Sequence, residues 1–188
     1  MILMDDIIRE GHPTLNKKAK DVPEILSIND KKLAKEMLEF VLNSQDHEIA
    51  TKYDLRPAVG IAAPQLGIEK RIFAISVEDF DNVLYEYILL NPTMEIIDDS
   101  LIYLPGGEGC LSVDRVTEGL TPRYNKVKFK ALRYEPKADI VVPVEITVSG
   151  YIGIVFQHEY DHLEGVLFTE KLFPKLENAK PAFEIISD

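Results

Sequence analysis

Two histidines separated by three residues, with a glutamate directly after the first, form the most chemically specific pattern in the chain. His158, Glu159 and His162 lie in a largely apolar segment, residues 151–165, that is predicted to be a helix. About 3.6 residues per helical turn place the two imidazoles on one face, where both can bind a single metal ion. Glu159 would project beside that ion and take a proton from a water molecule without being a ligand. The pattern therefore indicates a metal-dependent hydrolase.

The neighbours of the two histidines bear on whether they bind a metal at all. Residues 151–156 read Tyr-Ile-Gly-Ile-Val-Phe, and Leu163 follows the second histidine, which predicts a buried helix. Buried imidazoles and a buried carboxylate are costly without partners. Histidines satisfied inside an ordinary core are the alternative, and a metal site is the favoured interpretation.

A metal held by the helix would need a third protein ligand, because catalytic sites of this kind commonly have three ligands and one open position. Cys110 is the only cysteine, and it follows residues 106–109, where three of four positions are glycine. Such a loop can fold tightly and bring sulfur to the helix. A downstream carboxylate, Glu177 or Glu184, is the alternative and would indicate a helical metallopeptidase. The glycine-rich setting favours Cys110, and the lack of a second helical motif downstream weakens the carboxylate.

A further candidate segment is residues 57–67, in which small side chains surround Gln65. Small side chains let another backbone, from the protein or from a ligand, approach closely. The segment is either a tight turn between core elements or a wall of a site that presents backbone groups and the Gln65 amide. Alone it does not decide between the two.

Three separated stretches resemble, in the same order, the three signature motifs of the peptide deformylases. They are residues 60–65 (Gly-Ile-Ala-Ala-Pro-Gln), 108–112 (Glu-Gly-Cys-Leu-Ser) and 157–162 (Gln-His-Glu-Tyr-Asp-His). Residues 6–15 and 43–46 resemble the longer class typical of Gram-positive bacteria, so the resemblance extends over nearly the whole chain. Three independent motifs are far more specific than any one of them.

The resemblance implies removal of the formyl group from the N-formylmethionine that begins bacterial nascent chains, with release of formate. It assigns Cys110, His158 and His162 as metal ligands and Glu159 as the acid-base residue. Ferrous iron is the usual physiological metal of the family, and zinc, nickel or cobalt can replace it. One thiolate and two imidazoles suit several of these ions, so ligand type alone does not choose among them.

The resemblance also assigns the groups that would bind the substrate. The side-chain amide of Gln65 and the backbone N–H of Leu111 are expected to stabilise the oxyanion. Residues expected to bind the peptide are Val59, Gly60 and Gly107 along its main chain, with Ile154 and Val155 beside the methionine side chain. Ordinary helix packing is an equally good explanation for Ile154 and Val155.

Two further residues qualify this picture. Glu108 is expected to be a structural partner of Arg123 across the site. Ala58 stands where the family commonly has glycine, and its extra methyl group is expected to narrow access for the peptide. Only this departure suggests a non-catalytic, metal-stabilised protein that binds peptide ends.

The resemblance implies an α+β fold in which antiparallel β-sheets surround the central metal-binding helix, within a single catalytic domain of residues 1–188. Apolar spacing predicts an earlier helix that has Asn29 or Asp30 as its N-cap and ends near residues 43–44. Asn91 and Pro92 are expected to end a strand. The strands predicted from residue type and alternation are residues 71–77, 86–90, 93–98, 126–131, 140–148 and 166–168.

Composition narrows the partners. The chain has 188 residues with 46% hydrophobic and 28% charged residues, which is typical of a globular protein. A formal net charge of −11 argues against DNA and anionic membranes as partners. Alternation in residues 126–131 places three lysines on one strand face. This face is expected to be exposed to solvent, and a transient ribosome contact is the alternative. No targeting segment is recognised, so a cytoplasmic location is expected.

Overall fold

A computed structural model describes residues 1–185 of the chain. The three helices of these residues are α1 (Ile28–Gln45), α2 (His47–Tyr53) and α3 (Gly150–Leu163). The strands are β1 (Gly60–Ala62), β2 (Ile72–Glu78), β3 (Leu84–Tyr103), β4 (Arg123–Glu135), β5 (Ile140–Ser149) and β6 (Ala179–Pro181). Short 3-10 turns occur at Met4–Asp6, Pro13–Asn16, Ala63–Leu66 and Phe168–Lys171. No helix in this part of the chain has the length and apolar character needed to cross a bilayer.

The strands join in the order β1-β2-β3-β4-β5, and each neighbouring pair is antiparallel. β6 departs from this path and runs parallel to the end of β3. The predicted α+β fold with antiparallel strands is therefore confirmed, and in the described residues those strands form one continuous sheet. β1 lies at the end of the strand order, so one of its sides carries no strand partner within residues 1–185.

The prediction that Asn91 and Pro92 end a strand is wrong, because β3 runs through both residues. Proline lacks the N–H that a strand ladder needs, but the register between β3 and β4 shifts between Leu90 and Thr93, so no ladder bond is required from Pro92. Asn91 adopts a positive φ of 49°, and its side-chain amide binds the backbone N–H and carbonyl of Val22 at 2.8 and 2.7 Å. The bulge thus replaces the predicted strand end.

Two apolar cores lie against this framework. One contains buried residues of α1, including Met37, Phe40 and Val41, packed against Ile72 and Ile88. The other holds α3 against the sheet, and its buried side chains include Phe73, Phe129, Val148, Ile152 and Phe156. Phe156 meets Phe73 edge-on with ring centroids 6.0 Å apart, which fixes how α3 lies on β2. The sheet therefore serves as the platform from which α3 presents its histidines.

Two boundaries were predicted wrongly. The N-cap of α1 is Ser27, not Asn29 or Asp30, and its hydroxyl oxygen accepts from the Asp30 N–H at 3.1 Å. Serine accepts this bond from an extended backbone, which explains why the helix starts earlier. Residues 166–168 do not form a strand, because the 3-10 turn begins at Phe168 and Leu167 is its extended cap.

Candidate metal centre

Three side chains from two distant parts of the chain converge at one point. Cys110, His158 and His162 offer ligand atoms that all lie within 4.8 Å of one another, and no other such group is found in residues 1–185. The Sγ atom of Cys110 lies 3.4 Å from Nε2 of His162. Both imidazoles come from α3, one turn apart, with ring centroids separated by 5.1 Å. The predicted convergence of the cysteine on the helix is therefore observed.

These three residues fit a divalent transition metal. Metal–sulfur and metal–nitrogen bonds of about 2.3 and 2.0–2.1 Å at tetrahedral angles separate sulfur and nitrogen by about 3.6 Å. The observed separation of 3.4 Å between Cys110 Sγ and His162 Nε2 is close to that value. The alternative carboxylates, Glu177 and Glu184, are exposed and lie outside the cluster. The donor set is thus a thiolate and two imidazoles.

The electrostatics of the cluster favour an ionised sulfur. Burial raises the pKa of the Cys110 thiol, but the charge of His162 and hydrogen bonds from His158 and His162 lower the pKa well below its usual value. The Gln65 amide and the Ser112 backbone N–H each lie 3.4 Å from the sulfur and donate toward it. Hydrogen bonds to a charged form stabilise that form. Cys110 is therefore prepared to bind a metal as a thiolate.

The loop that carries Cys110 is held from outside by Arg56, which the sequence alone did not single out. The Arg56 guanidinium donates to the carbonyl of Cys110 at 3.1 Å and to Asp114 at 2.9 Å. Asp114 in turn accepts from Arg9 at 2.9 Å. Charged donors on carbonyl groups restrain the backbone at the point where it supplies the sulfur.

Glu108 holds the first histidine in place, and its expected partnership with Arg123 is observed. Two guanidinium nitrogens of Arg123 lie 2.8 Å from the two oxygens of Glu108, and both side chains are 3% exposed. Nδ1 of His158 lies 3.2 Å from Glu108, which leaves Nε2 for the cluster. Burial raises the pKa of Glu108, but hydrogen bonds and charge from Arg123 outweigh it and bring the pKa to about 2. The carboxylate is therefore ionised and orients the imidazole.

Glu159 is buried beside the cluster, and its Oε2 atom has no hydrogen-bond partner among the described residues. Gly60 on β1 makes room for it, because a Cβ atom on that residue would lie 2.5 Å from Glu159 Oε1. Burial raises the pKa of Glu159, although the two neighbouring histidines oppose the shift. A raised pKa brings a carboxylate closer to the range where it exchanges protons near neutral pH.

Gln65 is oriented by its own turn. Its side-chain carbonyl accepts from the Ala62 N–H at 2.9 Å, which directs its amide nitrogen toward Cys110 at 3.4 Å and Ser112 Oγ at 3.2 Å. Leu111 follows the cysteine and is buried, and no oxygen of residues 1–185 accepts its backbone N–H. Both groups predicted to donate to an oxyanion therefore lie at the sulfur side of the cluster.

The cluster opens into a cleft of about 370 Å³. Of the residues predicted to bind a peptide, Val59, Gly60, Ile154 and Val155 line it. Gly107 does not line it, although its neighbours Leu104 and Glu108 do, and its N–H is donated to the Leu104 carbonyl at 2.9 Å. Lining residues that sequence reasoning did not identify as peptide contacts include Gln45, Arg56, Leu104 and Tyr151. No local motif marks Arg56, Leu104 or Tyr151, since folding alone brings them to the cleft, whereas Gln45 lies in residues 43–46, which resemble the longer class.

Comparison with known proteins decides the family. A family model described as polypeptide deformylase matches residues 4–178. The chain belongs to the peptide deformylase family. A peptide deformylase of Oceanobacillus iheyensis is 50% identical, in an alignment that covers 96% of this chain and 99% of that protein. Peptide deformylase 2 of Bacillus cereus is 47% identical over 174 residues, covering 92% and 91% of the two chains.

Solved structures agree with the family. The peptide deformylase of Thermotoga maritima superposes with a TM-score of 0.65 at 33% identity, covering 89% of this chain and 97% of that one. An actinonin-bound peptide deformylase of Acinetobacter baumannii gives a TM-score of 0.66 at 28% identity, covering 92% and 99%. Family membership makes this chain a hydrolase that removes the formyl group from the amino terminus of nascent peptides.

Proposed function

We propose that the cleft binds the formylmethionyl end of a nascent chain and that Cys110, His158 and His162 hold a divalent metal at the formyl group. Ferrous iron is the proposed ion, on the resemblance of the three motifs to the family, and zinc, nickel or cobalt would substitute. One observation carries the proposal: a thiolate and two imidazoles converge beside a buried carboxylate with a free oxygen. A bound ion supplies Lewis acidity that polarises the formyl oxygen and lowers the pKa of water.

Glu159 is the proposed proton carrier. Its free Oε2 accepts a proton from the water that attacks the formyl carbon, and the same carboxyl later protonates the departing amine. The products are formate and a peptide with a free amino terminus. Because water itself attacks the formyl carbon, the reaction needs no covalent intermediate with the enzyme.

Two hydrogen-bond donors are proposed to stabilise the negative charge that develops on the formyl oxygen. The amide nitrogen of Gln65 is held in position by the bond between its carbonyl and Ala62 N–H. The backbone N–H of Leu111 is the second donor, and its lack of an acceptor among residues 1–185 supports this role. Donors fixed before the reaction stabilise a transition state without the cost of reorganisation.

The peptide main chain is proposed to lie along the unpaired side of β1. An extended peptide can add to the edge of a sheet and use its free backbone groups, which makes Val59 and Gly60 the proposed contacts. Ile154 and Val155 on α3 would face the methionine side chain from across the cleft. Gly107 remains a proposal for its carbonyl group only, because its N–H is already bonded.

The cellular setting completes the proposal. We place the reaction in the cytoplasm, where new chains emerge, and treat residues 1–188 as one catalytic domain. The proposal also includes a transient ribosome contact through the lysine face of β4. Lys128 is paired with Glu95 at 3.2 Å and Lys130 with Glu145 at 3.6 Å, so much of the positive charge of this face is compensated. Cosedimentation with ribosomes at low and physiological salt tests the contact.

Formate release from formyl-Met-Ala-Ser by anaerobically purified, iron-loaded protein tests the function. The wild type should release formate rapidly, and Glu159→Gln should lower the rate by at least about 100-fold while metal content stays the same. Unchanged peptide binding by this variant separates catalysis from a peptide-binding function. No release by fully loaded wild-type protein would contradict the proposal.

A further inference from the structure

Three aromatic side chains from distant parts of the chain meet beside the cleft. Phe80 lies in the turn between β2 and β3, Tyr151 in the first turn of α3, and Phe183 in the segment after β6. Their ring centroids are 5.9 Å apart for Phe80 and Tyr151, 4.9 Å for Phe80 and Phe183, and 6.1 Å for Tyr151 and Phe183. Every pair is within contact distance, so these residues form one aromatic cluster.

The aromatic cluster is continuous with the cleft. Tyr151 is one of the residues that line it. β6 runs beside the end of β3, and the Ala182 N–H donates to the Tyr103 carbonyl at 2.9 Å. The next residue on each segment is then Phe183 of the aromatic cluster and Leu104 of the cleft lining. The segment after β6 therefore follows the rim of the cleft.

The outer side of the aromatic cluster is exposed. Phe80 is 69% exposed, Val83 in the same turn is 48% exposed, and Leu84 at the start of β3 is 57% exposed. Catalysis as proposed uses none of these residues. A group of large apolar side chains left open to solvent at the mouth of a binding cleft is typical of a surface that contacts a ligand.

The position along α3 indicates which part of the ligand reaches the cluster. Tyr151 precedes His158 by seven positions, which corresponds to about 10 Å along the helix. An extended peptide advances about 3.3 Å per residue, so this distance spans about three residues from the formyl group. Alternate side chains of an extended peptide point to the same face. A peptide that runs from the metal centre toward the first turn of α3 would therefore place its third side chain on the same face as methionine, beyond Ile154 and next to Tyr151.

We propose that the aromatic cluster determines specificity at the third residue of the formylated peptide and prefers an apolar side chain there. The inference rests on the proposed function, because it uses the formyl group at the metal centre as its origin. Partial burial of a leucine or phenylalanine side chain against these rings should strengthen binding by about five- to tenfold over serine.

Acidic residues in the same turn and at the end of β2 add a second preference. Glu78, Asp79 and Asp81 flank Phe80, and Glu78 and Asp81 are exposed. Like charges in this small region would disfavour an aspartate at the third residue of the peptide. Peptides should therefore rank apolar first, serine next and aspartate last, with the aspartate effect weakened by salt.

The test compares kcat/KM for formyl-Met-Ala-Phe, formyl-Met-Ala-Leu and formyl-Met-Ala-Ser. In the wild type the two apolar peptides should be favoured over serine by about fivefold or more, mainly through a lower KM. Phe80→Ala should reduce this ratio to about one while leaving formyl-Met-Ala-Ser within about twofold of the wild type. Phe80→Leu should keep part of the preference, since it keeps apolar surface. Val116→Ala removes a side chain that is 90% exposed elsewhere and should leave the ratio unchanged.

Different results separate the two proposals. Equal kcat/KM for all three peptides in the wild type, or an undiminished apolar preference in Phe80→Ala, overturns the role of the aromatic cluster and leaves deformylation standing. Absence of formate from every peptide overturns the proposed function, and the specificity inference falls with it. Phe183→Ala provides an independent second variant, because it removes a different ring of the same cluster.

Discussion

Glu159 occupies the space that a side chain on Gly60 would need. A Cβ atom built on Gly60 would lie 2.5 Å from Oε1, 2.8 Å from Cδ and 2.9 Å from Cγ of Glu159. These distances are far below ordinary carbon and oxygen contacts, so the backbone of β1 and the proposed proton carrier of α3 fit together only without a methyl group. The glycine of the first motif is thereby tied physically to the glutamate of the third.

Gly60→Ala should therefore displace the Glu159 carboxylate and lower kcat by about 100-fold or more. Metal content should stay near the wild-type value, because the three atoms nearest to the new methyl group all belong to Glu159 and none to a ligand. Formate release and metal analysis on the same samples measure both effects. Gly153→Ala is the matched control on α3, where the nearest atoms to a new Cβ are the Val148 carbonyl carbon and oxygen at 3.6 Å. Near wild-type activity in Gly60→Ala would contradict the steric relationship.

Glu159→Gln should make the metal-free protein more stable although it abolishes activity. Burial raises the pKa of Glu159, so folding disfavours its ionised form and stability falls as pH rises through the carboxylate range. A neutral amide avoids this cost and should raise the free energy of unfolding at pH 7 by about 1 kcal/mol. Urea denaturation measures the change, with the exposed Glu95→Gln as control. A lower free energy of unfolding for Glu159→Gln would contradict the prediction.

Acid sensitivity should depend on Glu108. Its pKa is lowered from 4.5 to about 2, so its contribution to stability is fully present above about 4.5 and is lost as pH falls toward 2. A shift of this size corresponds to about 3 kcal/mol. Glu108→Gln should be less stable than the wild type at neutral pH. The free energies of unfolding of the two proteins, measured as a function of pH, should converge as pH falls toward 2. A constant difference between the two free energies of unfolding at all pH values would exclude this role.

Gln65→Ala should lower kcat by about 100- to 1000-fold with a small change in KM, as expected for a donor that acts on the transition state. Gln65→Glu has the same shape and keeps an oxygen to accept the Ala62 N–H, but it presents a second oxygen where the amide donated. Its loss should be at least as large. Steady-state kinetics on metal-loaded variants measure both, and a KM effect alone would argue for ground-state binding instead.

Metal removal should lower the melting temperature of the wild type by several degrees, because a ligand that binds only the folded state stabilises it. Cys110→Ser removes the thiolate and should melt near the metal-free wild type, with little response to added ion. Thermal scans of both proteins with and without ferrous, nickel or zinc ions measure the coupling. An equal response of the two proteins would show that Cys110 is not a ligand.

Much of the site follows from local sequence patterns. The spacing of His158 and His162 specifies one face of a helix, and the loop around Cys110 was identified by its glycines. The strands predicted at residues 126–131 and 140–148 lie within β4 and β5, because residue type and side-chain alternation are local signals. These features need no knowledge of the rest of the fold.

Features that depend on distant contacts were predicted less well. Nothing local indicates that β3 continues through Pro92, because the bulge is stabilised by Asn91 binding Val22 from the N-terminal region. Arg56 and Tyr151 join the cleft only after the chain folds. Gly107 was expected beside the peptide, but its turn with Leu104 uses its N–H first. The conformation at these positions is determined by tertiary packing and not by the propensities of single residues.

Cys110 is the only sulfhydryl of the whole chain, and it lies within the proposed metal centre. A thiol-specific colorimetric reagent therefore has one possible target per molecule. Metal coordination should shield that target, so the fraction of protein that reacts under native conditions gives a direct count of vacant centres. Titration of this thiol thus measures the metal-free fraction of each preparation. Turnover numbers can then be corrected for the metal-free enzyme without a radiolabel or an inhibitor.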